Sequence, residues 1–235
     1  MVNKLKNRPI EILVNERLQK SEKNAIIDGV VTVRNLLLAG IPNLKMPVKY
    51  FESDEYPDIR WANQIGKKYS SNTNQINGGV MSQYLFELQN KVNFPYIVYI
   101  TQDDLYICTD KNGNVINGSG DNGFSAGLSS ENGPSIISTY RFKDIKNENE
   151  RISCIKTLTM HEIGHLFGVI NESHRNKNEI DYRGGAHCTN DDCVMRQGWK
   201  VPSDWQQMTK DRRGKSPFCL ECQLDLKYWL NKKDN

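Results

Sequence analysis

Apolar residues recur at helical spacing over Ser21–Ala39, at Ile26, Ile27, Val30, Val33, Leu37 and Leu38, and predict a helix there. Pro42 and Pro47 break the pattern, and the chain enters a short strand-like run at "VKYF". A second helix is predicted in "GGVMSQYLFELQNKV", closed by the turn signal at Asn93–Pro95. The apolar, β-rich "FPYIVYITQDDLYICTD" predicts one strand or two, and "PSIISTYRF" a further one. Between them, Lys111–Pro134 is rich in Gly, Asn and Ser and reads as loop with room for one short edge strand. Asn171–Ala186 is polar, ends in Gly184-Gly185, and reads as an inserted loop. No repeat and no linker divides the chain, so a single domain over 1–235 is expected.

The segment Ile152–Ile170 carries the most specific signal. Projected at about 100° per residue, Ile152, Ile155, Ile163, Leu166 and Ile170 gather on one side, and His161 and His165 fall nearly opposite. Such a helix buries one face and turns its histidines to a cleft. His161, Glu162 and His165 spell H-E-x-x-H, followed by Gly168. Histidines four apart stand one turn above another, about 6 Å apart, so both imidazoles can reach one ion at about 2 Å. Glu162 is rotated by about 100° from His161, beside such an ion, where its carboxylate can take a proton from an activated water.

A third ligand is not supplied by continuing the helix. Asn171 occupies the place where the longer motif would carry a histidine, and Glu172 and His174 do not reach the same ion from a continuous helix. Gly168 can adopt the left-handed conformation that ends a helix and turns the chain. Beyond it the strongest candidate is His187, in "GGAHCTNDDCVM".

Composition sharpens this picture. All four histidines lie between His161 and His187, and four of six cysteines lie between Cys188 and Cys222, as C-x4-C and C-x2-C. The N-terminal stretch is charged throughout, without an apolar core of signal-peptide length, so a cytoplasmic protein with reduced, metal-binding thiols is expected. Two disulfides, as in a secreted protease, are the alternative. A net charge of +3 without basic blocks argues against nucleic acid, and no stretch reaches the roughly 20 apolar residues needed to cross a bilayer.

With these motifs in place, the chain resembles the archaemetzincins, a family of zinc peptidases in the metzincin clan with the pattern H-E-x-x-H-x-x-G-x-x-H-C-x4-C-x-M and a later C-x-x-C. "HEIGHLFG" matches the first part, "HCTNDDCVM" the second and "FCLECQLDLKYWL" the late pair. Eighteen residues join the first two parts where the family has two, a 16-residue insertion; leishmanolysins tolerate a larger insert at the same place. "VYITQDDLYI" and "SIISTYRF" resemble the family's strands before the helix, so the likeness runs from about Tyr96 to the C-terminus.

The resemblance implies an α+β, metzincin-like fold: a twisted mixed sheet with helices in an N-terminal lobe (1–168) and a small zinc-stapled C-terminal lobe (169–235). It implies two zinc ions, one held by His161, His165 and His187, and a structural one held by Cys188, Cys193, Cys219 and Cys222. Four thiolates fill a tetrahedral ion and leave no place for water. Met195 then corresponds to the methionine of the Met-turn beneath the catalytic metal. The implied activity is peptide-bond hydrolysis on a peptide or protein substrate, with Glu162 as general base and an edge strand from Phe124–Tyr140 pairing with the substrate. A monomer is expected. The alternative is a catalytically defective metal-binding or regulatory module of the same fold.

Overall fold

Ile10, Ile12 and Val14 face one side of a five-residue strand and Leu13 the other, and both sides are buried. This strand, β1 (Ile10–Val14), sits inside a five-stranded sheet. It pairs in parallel with β2 (Val48–Glu52) and with β4 (Tyr96–Thr101), and β4 pairs in parallel with β8 (Ser135–Ser138). The edge strand β7 (Gly127–Ser129) runs antiparallel to β8, which makes the sheet mixed. The computed structural model describes residues 8–15, 18–39, 45–52, 57–68, 70, 75–91, 95–109, 121–170, 175–183 and 185–231, with the backbone alone for 57–59, 108–109 and 121–124.

Helices cover both faces of the sheet. On one, α1 (Lys20–Leu38) brings Ala25, Ile26, Val30, Val33 and Leu37 against Ile10, Ile12, Val98, Ile100 and Ile137, together with Ile155 and Leu158 of α4 (Glu148–Leu166). On the other, Leu13, Ile97, Tyr99 and Ile136 meet Ala62 of α2 (Pro57–Lys68) and Met81, Leu85 and Leu88 of α3 (Gly78–Lys91). A second sheet of β3 (Gln75–Asn77), β5 (Asp104–Thr109) and β6 (Asp121–Ser125) adds Ile76 and Leu105 to that core. Every residue of β4 is buried, the reason "YIVYIT" shows no polar alternation.

Two expectations are revised. The region Lys111–Pro134 contains two strands among its described residues, β6 and β7, where room for one was read. Their Gly, Asn and Ser residues have little strand preference alone, and pairing to β5 and β8 overrides it. Helix α4 is also buried on more than one face: Cys154, Ile155 and Thr157–Gly164 are all buried. One cause is α5 (Ser203–Asp211), which brings Thr209 to Cys154 and Thr157 and Trp205 to the His161 ring on a second side of the helix. Arg212, just past α5, donates from Nη2 to Thr157 Oγ1 at 2.7 Å.

Helix α4 starts at an Asn147 cap, whose side chain accepts from the Glu150 N–H at 3.0 Å. It ends where Gly168 takes φ +62° and Ile170 φ +69°. A β-branched residue in that region costs roughly 1–3 kcal/mol, and the Ile170 N–H is held at 2.7 Å by Asp225 of α6 (Leu220–Asn231). The insertion then returns as β9 (Ile180–Asp181), antiparallel to β10 (His187–Cys188).

Candidate metal centres

The histidine centre is built from two segments. Helix α4 presents His161 and His165 one turn apart, with ring centroids at 4.7 Å. Strand β10 brings His187 to 5.2 Å from the His161 ring and 5.1 Å from the His165 ring. One donor atom from each of the three lies within 4.8 Å of the others. His174 and Glu172 lie outside the described residues.

The tautomer of His161 follows from its partner. Nδ1 lies 2.8 Å from the Val194 carbonyl, which can only accept, so Nδ1 carries the proton and Nε2 keeps its lone pair. That Nε2 faces His165 Nε2 at 3.2 Å, where a proton or a cation must lie between them. Two nitrogens on one tetrahedral zinc stand about 3.3 Å apart, so this spacing fits the ion. Burial, then the charge of His187, pushes His161 down to about 3, and burial with its neighbours' charges holds His165 well below the ordinary range. His187 is lowered as well, chiefly by burial. Neutral imidazoles are the form a metal requires.

Glu162 lies beside this cluster, only 5% exposed. Burial pushes its carboxyl up to about 8, against the opposing effect of a hydrogen bond from Ser129. Ser129 Oγ is 2.7 Å from Glu162 Oε2 and 2.7 Å from Ser135 Oγ. One hydroxyl has one proton, so with Glu162 ionised Ser129 donates to the carboxylate and Ser135 donates to Ser129. Gly127, on the same edge strand, leaves the space that the carboxylate occupies: a Cβ there would overlap Glu162 Oε1.

The cysteine centre adjoins it. Cys188 Sγ is 3.7 Å from Cys219 Sγ, and Cys193 Sγ is 3.4 Å from Cys222 Sγ. All four thiols are free, at separations far above the roughly 2.0 Å of a disulfide and close to the roughly 3.8 Å of two sulfurs on one tetrahedral zinc. Their donor atoms lie within 4.8 Å of one another. Cys193 and Cys222 are held above the ordinary thiol range, by the Cys188 sulfur first and the Cys219 sulfur with it. Cys188 and Cys219 are pushed below it, by the Cys193 and Cys188 sulfurs respectively, so the cluster shares its protons unevenly. A divalent cation replaces the protons that such crowding retains, so the donor set fits zinc. The backbone N–H groups of Asn190 and Cys219 reach Cys188 Sγ and Cys193 Sγ, each at 3.4 Å.

Three consecutive residues tie the centres together. Cys193 sends its sulfur to the cysteine cluster, Val194 its carbonyl to His161, and Met195 is fully buried with its sulfur against Gly164 of α4. Cys154 stands apart, buried near Thr209 and pushed up to about 11 by burial. The side chain of Cys108 lies outside the described residues.

Several participants escaped the sequence reading. Ser129 sits in a Gly/Ser-rich run that reads as loop. Arg175, whose Nη2 is 3.3 Å from Cys222 Sγ, sits in a polar insertion where a charged residue reads as solvated. Trp205, 5.2 Å from the His161 ring, had no motif to mark it.

A mixed sheet with an antiparallel edge strand, set over a helix whose two histidines meet a third from a cysteine-bound segment, is the framework of a zinc-metallopeptidase-like fold. Among solved structures, the chain is similar to archaemetzincin from Methanopyrus kandleri: TM-score 0.55, 19% identity, over 96% of this chain and 97% of that one. The protein therefore has an archaemetzincin-like fold. No protein-family model and no curated protein matches the chain. No helix among the described residues is long and apolar enough to cross a membrane.

Proposed function

We propose that the protein is a zinc-dependent peptidase, with His161, His165 and His187 holding the catalytic ion and Cys188, Cys193, Cys219 and Cys222 a structural one. The observation that carries this reading is the convergence of three neutral imidazoles within 4.8 Å beside a buried carboxylate. When bound there, zinc supplies Lewis acidity toward a scissile carbonyl and lowers the pKa of a water.

The chain's own residues do the rest. Glu162 takes the proton of the attacking water at a carboxylate oxygen and passes it to the leaving amine. Ser129 fixes the carboxylate by donating to Oε2. Val194, through its carbonyl, keeps His161 in the tautomer that turns Nε2 to the ion. Trp205 packs edge-on against the His161 ring and keeps water from its flank. Strand β7 is the edge of its sheet among the described residues, and its outer side offers backbone groups on which an extended peptide can pair, next to Glu162. Fold similarity to the archaemetzincin supports the framework.

The test is peptide hydrolysis by zinc-loaded wild type and Glu162→Gln. The variant retains its metal and loses turnover by a factor of at least about 100, the usual worth of a positioned base. A wild type that binds zinc at both centres yet cleaves nothing favours the inactive metal-binding module instead.

A further inference from the structure

Arg175 belongs to the insertion, yet its side chain is 1% exposed, as is that of Asp225. A guanidinium removed from water is stable only with anionic partners. Nη2 donates to Cys222 Sγ at 3.3 Å, and Nε lies 3.5 Å from Asp225 Oδ2. Cys222 and Asp225 are three residues apart on α6, on one helical face, so a single planar fork spans both. Asp225 Oδ2 also accepts the Ile170 N–H. The insertion is thus fastened, at Ile170 and Arg175, to the helix that carries Cys222 and begins just after Cys219. Its end is fastened to the early pair: Ile180 is in register with Cys188, Asp181 with His187, and the Thr189 N–H donates to the Glu179 carbonyl at 3.2 Å.

We infer that Arg175 is a positioning residue: its guanidinium, held between Cys222 and Asp225, fastens the insertion, and with it the strand pair that carries His187, to the helix that supplies one donor of the four-cysteine centre. With an ion bound, Cys222 is a thiolate and takes a charge-assisted hydrogen bond from the guanidinium. Loss of this fork releases the insertion from α6, so the ligand Cys222 and the strand pair that carries His187 both lose a fixed support.

This inference rests on the reading of the four cysteines as a metal centre, and cobalt titration separates the two. Cobalt replaces zinc in the full-length chain, and sulfur-to-cobalt charge transfer reports the thiolate centre alone. Wild type is expected to bind two ions, one of them at the thiolate centre. In Arg175→Met that centre weakens by about 10–100-fold, the scale of a lost partner to a metal ligand. Its charge-transfer band moves to lower energy, because a sulfur without its donor gives up an electron more easily. The histidine centre weakens in parallel, and Arg175→Lys restores part of both effects. An Arg175→Met protein with wild-type affinity at both centres and an unmoved band overturns the inference. A wild type that shows no charge-transfer band at all overturns the metal reading itself.

Discussion

Asp181 and His187 face each other across a two-residue antiparallel ladder, so the insertion that separates His187 from helix α4 also supplies the strand that holds it. The long connection is a support for the third imidazole, and its closure entropy grows only slowly with length.

Breaking that ladder is expected to loosen the histidine centre. Ile180 has φ −117°, away from the value near −65° that proline imposes, and Ile180→Pro also removes a backbone donor. We expect Ile180→Pro to lower zinc affinity at the histidine centre by about tenfold, or about 1.4 kcal/mol, with the cysteine centre still filled. Competition against a chelator of known affinity checks this; unchanged affinity would show that β9 does not hold His187.

Gly127 leaves room for the Glu162 carboxylate, and a Cβ there would overlap Oε1. Gly127→Ala is expected to keep both ions and to lower kcat by about 100-fold, the scale of an ångström's misplacement of a reacting group. Metal analysis beside steady-state kinetics checks it; full activity would mean that Glu162 works from another position.

Glu162 gives the metal-free protein a pH dependence of known sign. Burial raises its folded pKa from the ordinary 4.5 to about 8, so between those values the native state binds more protons than the unfolded state. Stability from this group is present below pH 4.5 and is lost as pH rises toward 8. Glutamine does not titrate, and the histidine contributions are common to both proteins. Metal-free Glu162→Gln should therefore match wild type near pH 4.5 and exceed it by roughly 2–5 kcal/mol at pH 8. Denaturant unfolding across that range checks it; a difference independent of pH would contradict it.

How far the chain could be read depended on whether a signal was local. Helix α1 was legible because Ile26, Val30, Val33 and Leu37 repeat at the spacing of one buried face. H-E-x-x-H was legible because both imidazoles share a helix turn. Strand β1 was not: five residues, "IEILV", lie in a charged stretch, and their partners β2 and β4 are far along the chain. Helix α2 is strongly polar, and α5 hides in a short polar segment whose buried residues are Trp205 and Met208. The same locality explains the site. His187 stood out because a motif surrounded it, whereas Ser129 and Arg175 gain their roles only through partners 33 and 47 residues away.

The central claim is that three imidazoles from two separate segments share one ion. Zinc content of the purified protein, wild type against His187→Ala, tests it most directly. The account predicts two ions per chain in the wild type and one in the variant, with the four thiols of the remaining centre still protected from modification. Two ions in both proteins, or one in both, would contradict it.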